Sequence, residues 1–453
     1  MSVAALLADL PDVAAETDRA LVRQKSRDFY WYSPVLKRQL DKLSAEAVLM
    51  PRDETEVIRC LAAAVRHRVP VTPRGAGTGN YGQAMPLKGG VVLDLSALDR
   101  LLWVRDGAAR AQCGMKLCDL DDSARAQARQ ELRFHPSTRR TATIGGFVAG
   151  GSSGIGSITF GTLSEPGNIL GLRVITMEEQ PRVLELRGTE IAKANHAYGT
   201  NGIITEVEIA LAPARDWIDV LAAFPTLRAA AEFADAFARS DLPKKLACVL
   251  APGIVPAWFR LHARRLATNE AAALLMVTDP AALAPLLAAH GGRIAHSEPT
   301  AQAATPLYEF TWNHTTLQAL KVDRTITYLQ TLFPAPDHVR LALAMAERFG
   351  DEVPTHLEFV RLGGQVCCFG LQLVRFTTEA RLAEIIAIHE AAGCPIFNPH
   401  AFTLEEGGMK AVDHTQLAFK RQADPHGLLN PGKMLAWDDP AWTPRQRAHL
   451  FGA

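Results

Sequence analysis

The stretch VPVTPRGAGTGNYGQAMPLKGGVVLDL, Val69 to Leu95, decides how this chain is read. A short apolar run with Val69 and Val71 leads into Pro73, Arg74, Gly75, Ala76, Gly77, Thr78, Gly79 and Asn80. A second apolar run, Gly90 to Leu95, comes after it. Alternate glycines put no Cβ between successive backbone N–H groups, so these can turn towards one anion, and glycine tolerates the positive φ this needs. The pattern reads as a loop that cradles a pyrophosphate. It matches a dinucleotide fingerprint poorly, because there G-x-G-x-x-G opens a helix directly. Here the spacing is G-x-G-x-G, and Gly82, Pro86, Gly89 and Gly90 block a helix before the next apolar run. Strand, loop, strand is the expected order. Asp94 imitates a ribose-binding acid by position only.

Alone, such a loop would be an ordinary surface turn. Its neighbours give it meaning. Upstream, Pro51-Arg52-Asp53 starts a helix with Asp53 as N-cap, Glu54 and Glu56 in the first turn, and Val57, Leu61, Ala64 and Val65 at helical spacing. Downstream, Gln112–Leu120 reads as a strand entering a helix over Asp119–Gln130. Then come His135-Pro136-Ser137 and TATIGGFVAGGSSGIGSITFG, Thr141–Gly161, with seven glycines between Gly145 and Gly161. That density lets backbone approach something large and flat, or bond it through N–H groups and the hydroxyls of Thr143, Ser152 and Ser153. A floppy linker fits poorly, since Ile144, Phe147, Val148, Ile155, Ile158 and Phe160 are interleaved. Asn168–Thr176 and Glu206–Leu211 read as strands around GTNGIIT, Gly199–Thr205, and Pro213 closes this half.

The chain has 453 residues, which implies two domains or three at most. Its 48 basic and 48 acidic residues balance, so bulk charge argues for neither nucleic acid nor an anionic membrane surface. The seven cysteines are scattered without a C-x-x-C pair, which reads as reduced thiols and predicts a cytoplasmic protein. The first residues read as a short acidic helix rather than a signal peptide, and no apolar run is long enough to span a membrane. The aromatic piece DFYWYSP, Asp28–Pro34, is either a satellite core or a cofactor wall.

From 214 to about 300 the pattern is strand–helix–strand, twice: Trp217–Phe224, Leu227–Ala238, Lys245–Leu250, then Ala272–Val277, Pro280–Ala289, Arg293–His296. This predicts a ferredoxin-like antiparallel α+β sheet with helices on one face. Next come a strand at Ile326–Leu332, a helix at Asp337–Phe349, a hairpin (His356–Leu362 and Gln365–Val374 around Gly363-Gly364), a helix at Glu379–Ala392 and a strand at Cys394–Phe402. EEGGMK, Glu405–Lys410, and DPHGLLNPGKML, Asp424–Leu435, end the readable motifs.

PRGAGTGN, then PS…TIGG…GGSSG…FG, then GTNGIITEVEIAL, then LNPGKML resemble in order and spacing the FAD-linked oxidase family, of the vanillyl-alcohol oxidase and p-cresol methylhydroxylase type. The glycolate oxidase and FAD-dependent D-lactate dehydrogenase branch is the most similar. The resemblance implies a two-subdomain FAD-binding unit over 1–213, split near 100, a substrate or cap domain over 214–403, and a segment over 404–453 returning to the FAD unit. It implies Pro73, Arg74, Gly75, Ala76, Gly77, Thr78, Gly79 and Asn80 on the pyrophosphate. Pro136, Ser137, Thr143, Ile144, Gly145, Gly146, Gly151 and Ser152 would lie along the flavin and ribityl chain. Gly202 and Ile204 would meet the adenine side, with Asn430 and Lys433 tying the tail back. Many members attach FAD through a histidine in or near the first loop; Gly75–Gly79 has neither His nor Cys, so non-covalent FAD is expected. That branch often carries a histidine pair and an E-H-G motif as a metal site. This chain has His356-Leu357-Glu358 without the second histidine, and Glu405-Glu406-Gly407, so no metal is expected.

Oxidising an alcohol by flavin requires a base for the hydroxyl proton, and an acid substrate also requires a cation. The candidate bases are His400, then His356, then His314; Asn398 would share a strand face with His400. Arg361 or Arg375 would clamp a carboxylate. The expected activity is oxidation of a small 2-hydroxy acid or related alcohol by hydride transfer to flavin N5. The acceptor would be a quinone, an electron-transfer protein or oxygen, and the protein a homo-oligomer or a complex subunit. A flavin-carrying electron-transfer subunit and a phenolic or aryl-alcohol oxidase are the alternatives. Phenol oxidation wants paired tyrosines, and only Tyr308 and Tyr328 fall in the expected cap.

Overall fold

The Val69–Leu95 stretch forms two parallel neighbours, β3 (Val71–Arg74) and β4 (Val91–Asp94), with Val71 opposite Val91 and Arg74 opposite Asp94. The glycine loop is their crossover. The computed structural model of the protein describes residues 2–409 and 412–443. With β1 (Ala15–Glu16) and β2 (Ala47–Leu49), these strands make a four-stranded sheet in the order β1-β2-β4-β3. The helix Glu54–His67 packs on it. Asp53 Oδ1 accepts the Glu56 N–H at 2.9 Å, Arg68 ends the helix in a left-handed conformation, and Val57, Leu61, Ala64 and Val65 are buried.

The second sheet holds β5 (Leu101–Arg105), β6 (Ala108–Gln112), β7 (Gln130–Leu132), β8 (Ile169–Ile175), β9 (Val183–Leu186) and β10 (Ile203–Pro213), in the order β5-β6-β10-β8-β9 with β7 on the end of β10. The glycine-dense stretch contains two short helices, Ile144–Gly150 and Ser157–Phe160, where no helix was expected. Thr143 caps the first. Ile144, Phe147 and Val148 anchor it in the core beneath, so the glycines are left for its other side.

The third sheet has seven strands: β11 (Ile218–Phe224), β12 (Lys244–Leu250), β13 (Ala271–Val277), β14 (Arg293–Pro299), β16 (Thr331–Phe333), β17 (His356–Leu362) and β18 (Gln365–Gly370). Its order is β14-β11-β13-β12-β17-β18-β16, and every pair is antiparallel. The first four positions give the ferredoxin-like arrangement. A short pair, β15 (Ile326–Tyr328) with β19 (Leu373–Arg375), lies beside it. Helices cover both faces, not one. Along β13, Ala271, Ala273, Leu275 and Val277 join the core under the helices Leu227–Arg239 and His338–Phe349. Ala272, Leu274 and Met276 join a second core with Ile254, Trp258 and Phe310.

Cys394–Phe402 is not a strand. Pro395 and Pro399 remove two N–H donors, only an isolated bridge joins Ile396 to Thr331, and Asn398 Oδ1 accepts the His400 N–H at 3.0 Å, closing a turn. The third sheet is pinned to the second by Lys245 on β12, whose buried ammonium meets Glu131 Oε1 at 2.8 Å and the Leu132 carbonyl at 2.9 Å. The tail returns to β3: Val71 N–H donates to Leu428 O, and Asn430 N–H to Val71 O. Lys410 of the EEGGMK motif lies outside the described residues.

Candidate active site

Two adjoining cavities run from the glycine loop to the third sheet. The first, a cradle of about 120 Å³, is lined by Pro73 to Gly79, by Thr143, Gly145, Gly146 and Gly150, and by Gly199, Gly202, Ile203 and Ile204. Two of its glycines leave no room for a Cβ against neighbouring side chains. A Cβ on Gly75 would sit 2.2 Å from Thr143 Oγ1, and Gly77, at φ 66°, lies against the Arg74 guanidinium. Arg74 is held by the Arg27 and Ala76 carbonyls. Asp28 also lines the cradle, accepting the Tyr30 and Ala84 N–H groups; burial raises its pKa and lowers that of its neighbour Lys433.

The second cavity, a chamber of about 230 Å³, shares Thr78, Gly79, Gln83, Gly146, Gly150 and Tyr198 with the cradle. Asn80, Pro136, Ser137, Gly151 and Ser152 line it near that junction. Its far walls are Phe29 and Tyr32, Tyr81 of the first loop, Trp312, Asn313, His314 and Leu317, Gln330, Val360 of β17, Phe369 of β18, and Phe397. Tyr81 donates to Gln330 Oε1 at 2.7 Å, joining the glycine loop to the third sheet. Burial pushes the phenols of Tyr32, Tyr81 and Tyr198 upward, so they stay protonated donors. Among the described residues lining the chamber, none is lysine or arginine.

The expected cofactor residues thus converge on one channel, apart from two. Ile144 is buried in the core beneath the helix it begins. Asn430 donates to the Gln83 and Tyr198 carbonyls at 2.8 and 2.7 Å, so it holds two walls without forming one. Lys433 donates to the Gly82 carbonyl of the first loop.

The expected catalytic residues scatter. His400 is buried, with Nδ1 2.7 Å from Ser33 Oγ and Nε2 3.0 Å from the Tyr328 carbonyl. The carbonyl fixes a hydrogen on Nε2 and the serine hydroxyl donates to Nδ1, so neither nitrogen has a free lone pair. Asn398 closes the turn described above and does not orient a free imidazole. His356 is fully buried and bonded on both sides, to Leu371 O and Glu358. Arg361 lies on the opposite face of β17 from Val360 and donates to the Ala238 and Gly364 carbonyls. Arg375 pairs with Asp323 and the Asp351 carbonyl. Of these expected residues only His314 lines the chamber, which His196 also lines. Burial lowers the His314 pKa to about 4 against the opposing pull of the Glu309 carbonyl, so it is neutral near pH 7.

Sequence reading missed Tyr81, Gln83, Tyr198, Gln330 and Trp312. Tyr81 and Gln83 stand within the quoted loop, where an aromatic among glycines was a usable signal; the others carry no local mark.

The channel fits FAD. A Cβ on Gly150 would meet nothing within 4 Å, and one on Gly146 only Thr143 Oγ1 at 3.0 Å, so both leave room for a flat group. The Asn80 Nδ2 at the junction is buried without a partner among the described residues. Residues 45–184 match the FAD binding domain family. The chain carries an FAD binding domain over those residues. It is 29% identical over 217 residues to the glycolate oxidase subunit GlcD of Bacillus subtilis, covering 44% of each chain. It is 31% identical over 212 residues to a D-lactate dehydrogenase of Archaeoglobus fulgidus, covering 44% of this chain and 46% of that one. The chain therefore spans less than half the length of these relatives. The solved structure of an alkyldihydroxyacetonephosphate synthase superposes with a TM-score of 0.70 at 18% identity, over 96% of this chain and 86% of that one, and so shares the fold.

Proposed function

We propose that this FAD-binding protein is an oxidoreductase that oxidises a CH–OH group of a neutral aromatic or apolar alcohol bound in the chamber. The observation that carries this is the chamber's composition: aromatic walls, amide and hydroxyl groups, and no lining lysine or arginine among the described residues. A carboxylate buried there would lack a cationic partner. Tyr32, Tyr81 and Tyr198 reach the chamber from the FAD-binding side, which supplies the grouped tyrosines missing from the third sheet. When bound, FAD supplies the hydride acceptor. The glycine cradle orients it, the aromatic walls exclude water, and His314, neutral and chamber-lining, takes the hydroxyl proton.

The names of the relatives favour a second reading, oxidation of a 2-hydroxy acid. Anaerobic reduction of the bound flavin by benzyl alcohol, D-lactate and glycolate separates them. Reduction by benzyl alcohol is expected, and reduction by the acids alone would move the proposal to the second reading. Reduction by neither would leave an electron-transfer subunit. His314→Gln should slow reduction by on the order of 10²–10⁴-fold, while His400→Gln leaves the rate near that of the parent.

A further inference from the structure

Trp312 stands at the chamber edge with φ 52° and ψ −141°, a conformation a bulky residue keeps only when its surroundings impose it. The constraint comes from a fully buried group on the third sheet. The Trp312 N–H donates to Glu358 Oε1 at 2.6 Å, His356 Nε2 meets the same oxygen at 2.8 Å, and His356 Nδ1 meets the Leu371 carbonyl at 3.1 Å. Because a carbonyl only accepts, Nδ1 is the donor to Leu371, which turns Nε2 to the Glu358 carboxylate. Cys248, the cross-strand neighbour of Glu358, completes a cluster whose ligand atoms lie within 4.8 Å of one another. Both nitrogens of His356 are engaged, by the Leu371 carbonyl and by Glu358, so the group acts as a clamp on the Trp312 N–H.

Through the Trp312 N–H the clamp fixes how two neighbouring side chains meet the cavity. Trp312 and Asn313 line the chamber, and the indole Nε1 and the Asn313 Oδ1 are buried without a hydrogen-bond partner among the described residues. Unpaired buried donors and acceptors are costly, and a ligand that pairs them gains what they have lost. We propose that Glu358, backed by His356, is a positioning residue for substrate recognition, holding Trp312 and Asn313 as a donor–acceptor pair for a neutral polar group. This rests on the oxidoreductase reading for its purpose.

The test is a binding titration of the FAD-loaded protein, read from the visible spectrum of the flavin and involving no turnover. Benzamide carries both a hydrogen-bond donor and an acceptor, and toluene carries neither. The parent should bind benzamide more tightly. Trp312→Phe keeps the ring and loses the N–H, so it should weaken benzamide about tenfold and leave toluene unchanged. Glu358→Leu should do the same, with a lower melting temperature because it leaves His356 Nε2 and the Trp312 N–H without their partner. Glu358→Gln keeps a carbonyl oxygen for the Trp312 N–H and should retain benzamide binding. Should Glu358→Leu fail to fold, His356→Asn decides: about threefold weaker benzamide binding supports the clamp, and unchanged binding overturns it. The proposal is also overturned if benzamide leaves the flavin spectrum unmoved or binds no better than toluene, if Trp312→Phe changes nothing, or if Leu and Gln at position 358 behave alike. An alcohol panel that fails to reduce the flavin removes the proposed activity and leaves these titrations standing.

Discussion

The cradle and the chamber touch, yet they are built in opposite ways. The cradle is largely backbone: Gly75, Gly77, Gly79, Gly145, Gly146, Gly150 and Gly202 line it without Cβ atoms. The chamber is side chain: Tyr32, Tyr81, Trp312, Gln330, Val360, Phe369 and Phe397 arrive from separate segments. A site made of backbone demands glycine at fixed places, because any other residue would fill it. A site made of side chains demands only that positions meet in space, and many residue types can line it. The first therefore marks the sequence and the second does not.

The largest effect should come from filling the cradle. Gly150 ends a helix, lines both cavities, and has open space where a Cβ would be. Gly150→Leu should leave the melting temperature of the FAD-free protein close to the parent and weaken FAD binding by roughly a hundredfold or more. Phe369→Ala, in the chamber, should keep FAD binding within about threefold. If both variants bound FAD alike, the division between cradle and chamber would collapse. Acid extraction of the parent should release all flavin, as expected for a cradle with no histidine or cysteine in the first loop.

Legibility in the sequence divides along the same line. Asp53 as a cap, the strand–loop–strand order and the glycine positions were legible because each is fixed by local backbone chemistry. The antiparallel arrangement of β11 to β14 could be read from the two strand–helix–strand repeats, whereas the addition of β17, β18 and β16 at the β12 edge could not. The chamber was read badly. Asn398-Pro399-His400 looked like alternation on a strand, but Pro399 breaks it, and the partners that consume the His400 ring are Ser33 and the Tyr328 carbonyl, far away in the chain. Nothing in the sequence of Thr311–Thr316 announces that Trp312 takes a positive φ, because Glu358, which holds it, lies on another element.

A smaller effect should separate the two regions by pH. Burial lowers the His400 pKa to about 4 and that of His135 to about 3, from an ordinary 6.5. Between those values the unfolded chain holds a proton that the folded chain does not. The stability is therefore fully present above about pH 6.5 and is lost as the pH falls towards 4, at about 1.4 kcal/mol per pH unit for each histidine. Asp28 in the cradle, with its pKa raised, works in the opposite sense and gains stability as it protonates. Urea unfolding measured from about pH 7 down to about pH 5 should show the net loss. His400→Gln should flatten the slope by up to about 1.4 kcal/mol per pH unit; an unchanged slope would mean that His400 is not held neutral behind the chamber.

The smallest effect should belong to Arg361, and it bears on the sidedness of the chamber. Along β17, His356, Glu358 and Val360 point to one face of the sheet and Leu357, Phe359 and Arg361 to the other. Val360 lines the chamber and Leu357 and Phe359 join the core under the helices, so the Arg361 side chain leaves on the far side. There its guanidinium meets the Ala238 carbonyl at 3.1 Å and the Gly364 carbonyl at 3.3 Å, which fastens the hairpin turn to the end of the helix Leu227–Arg239. Arg361→Ala should thus cost about 1 kcal/mol of stability or less and leave half-saturation for neutral alcohols and for hydroxy acids within about twofold of the parent. A selective loss of binding for acids would reverse the assignment: it would put a cation within reach of the substrate, and the chamber would no longer be a site that recognises its ligand without charge.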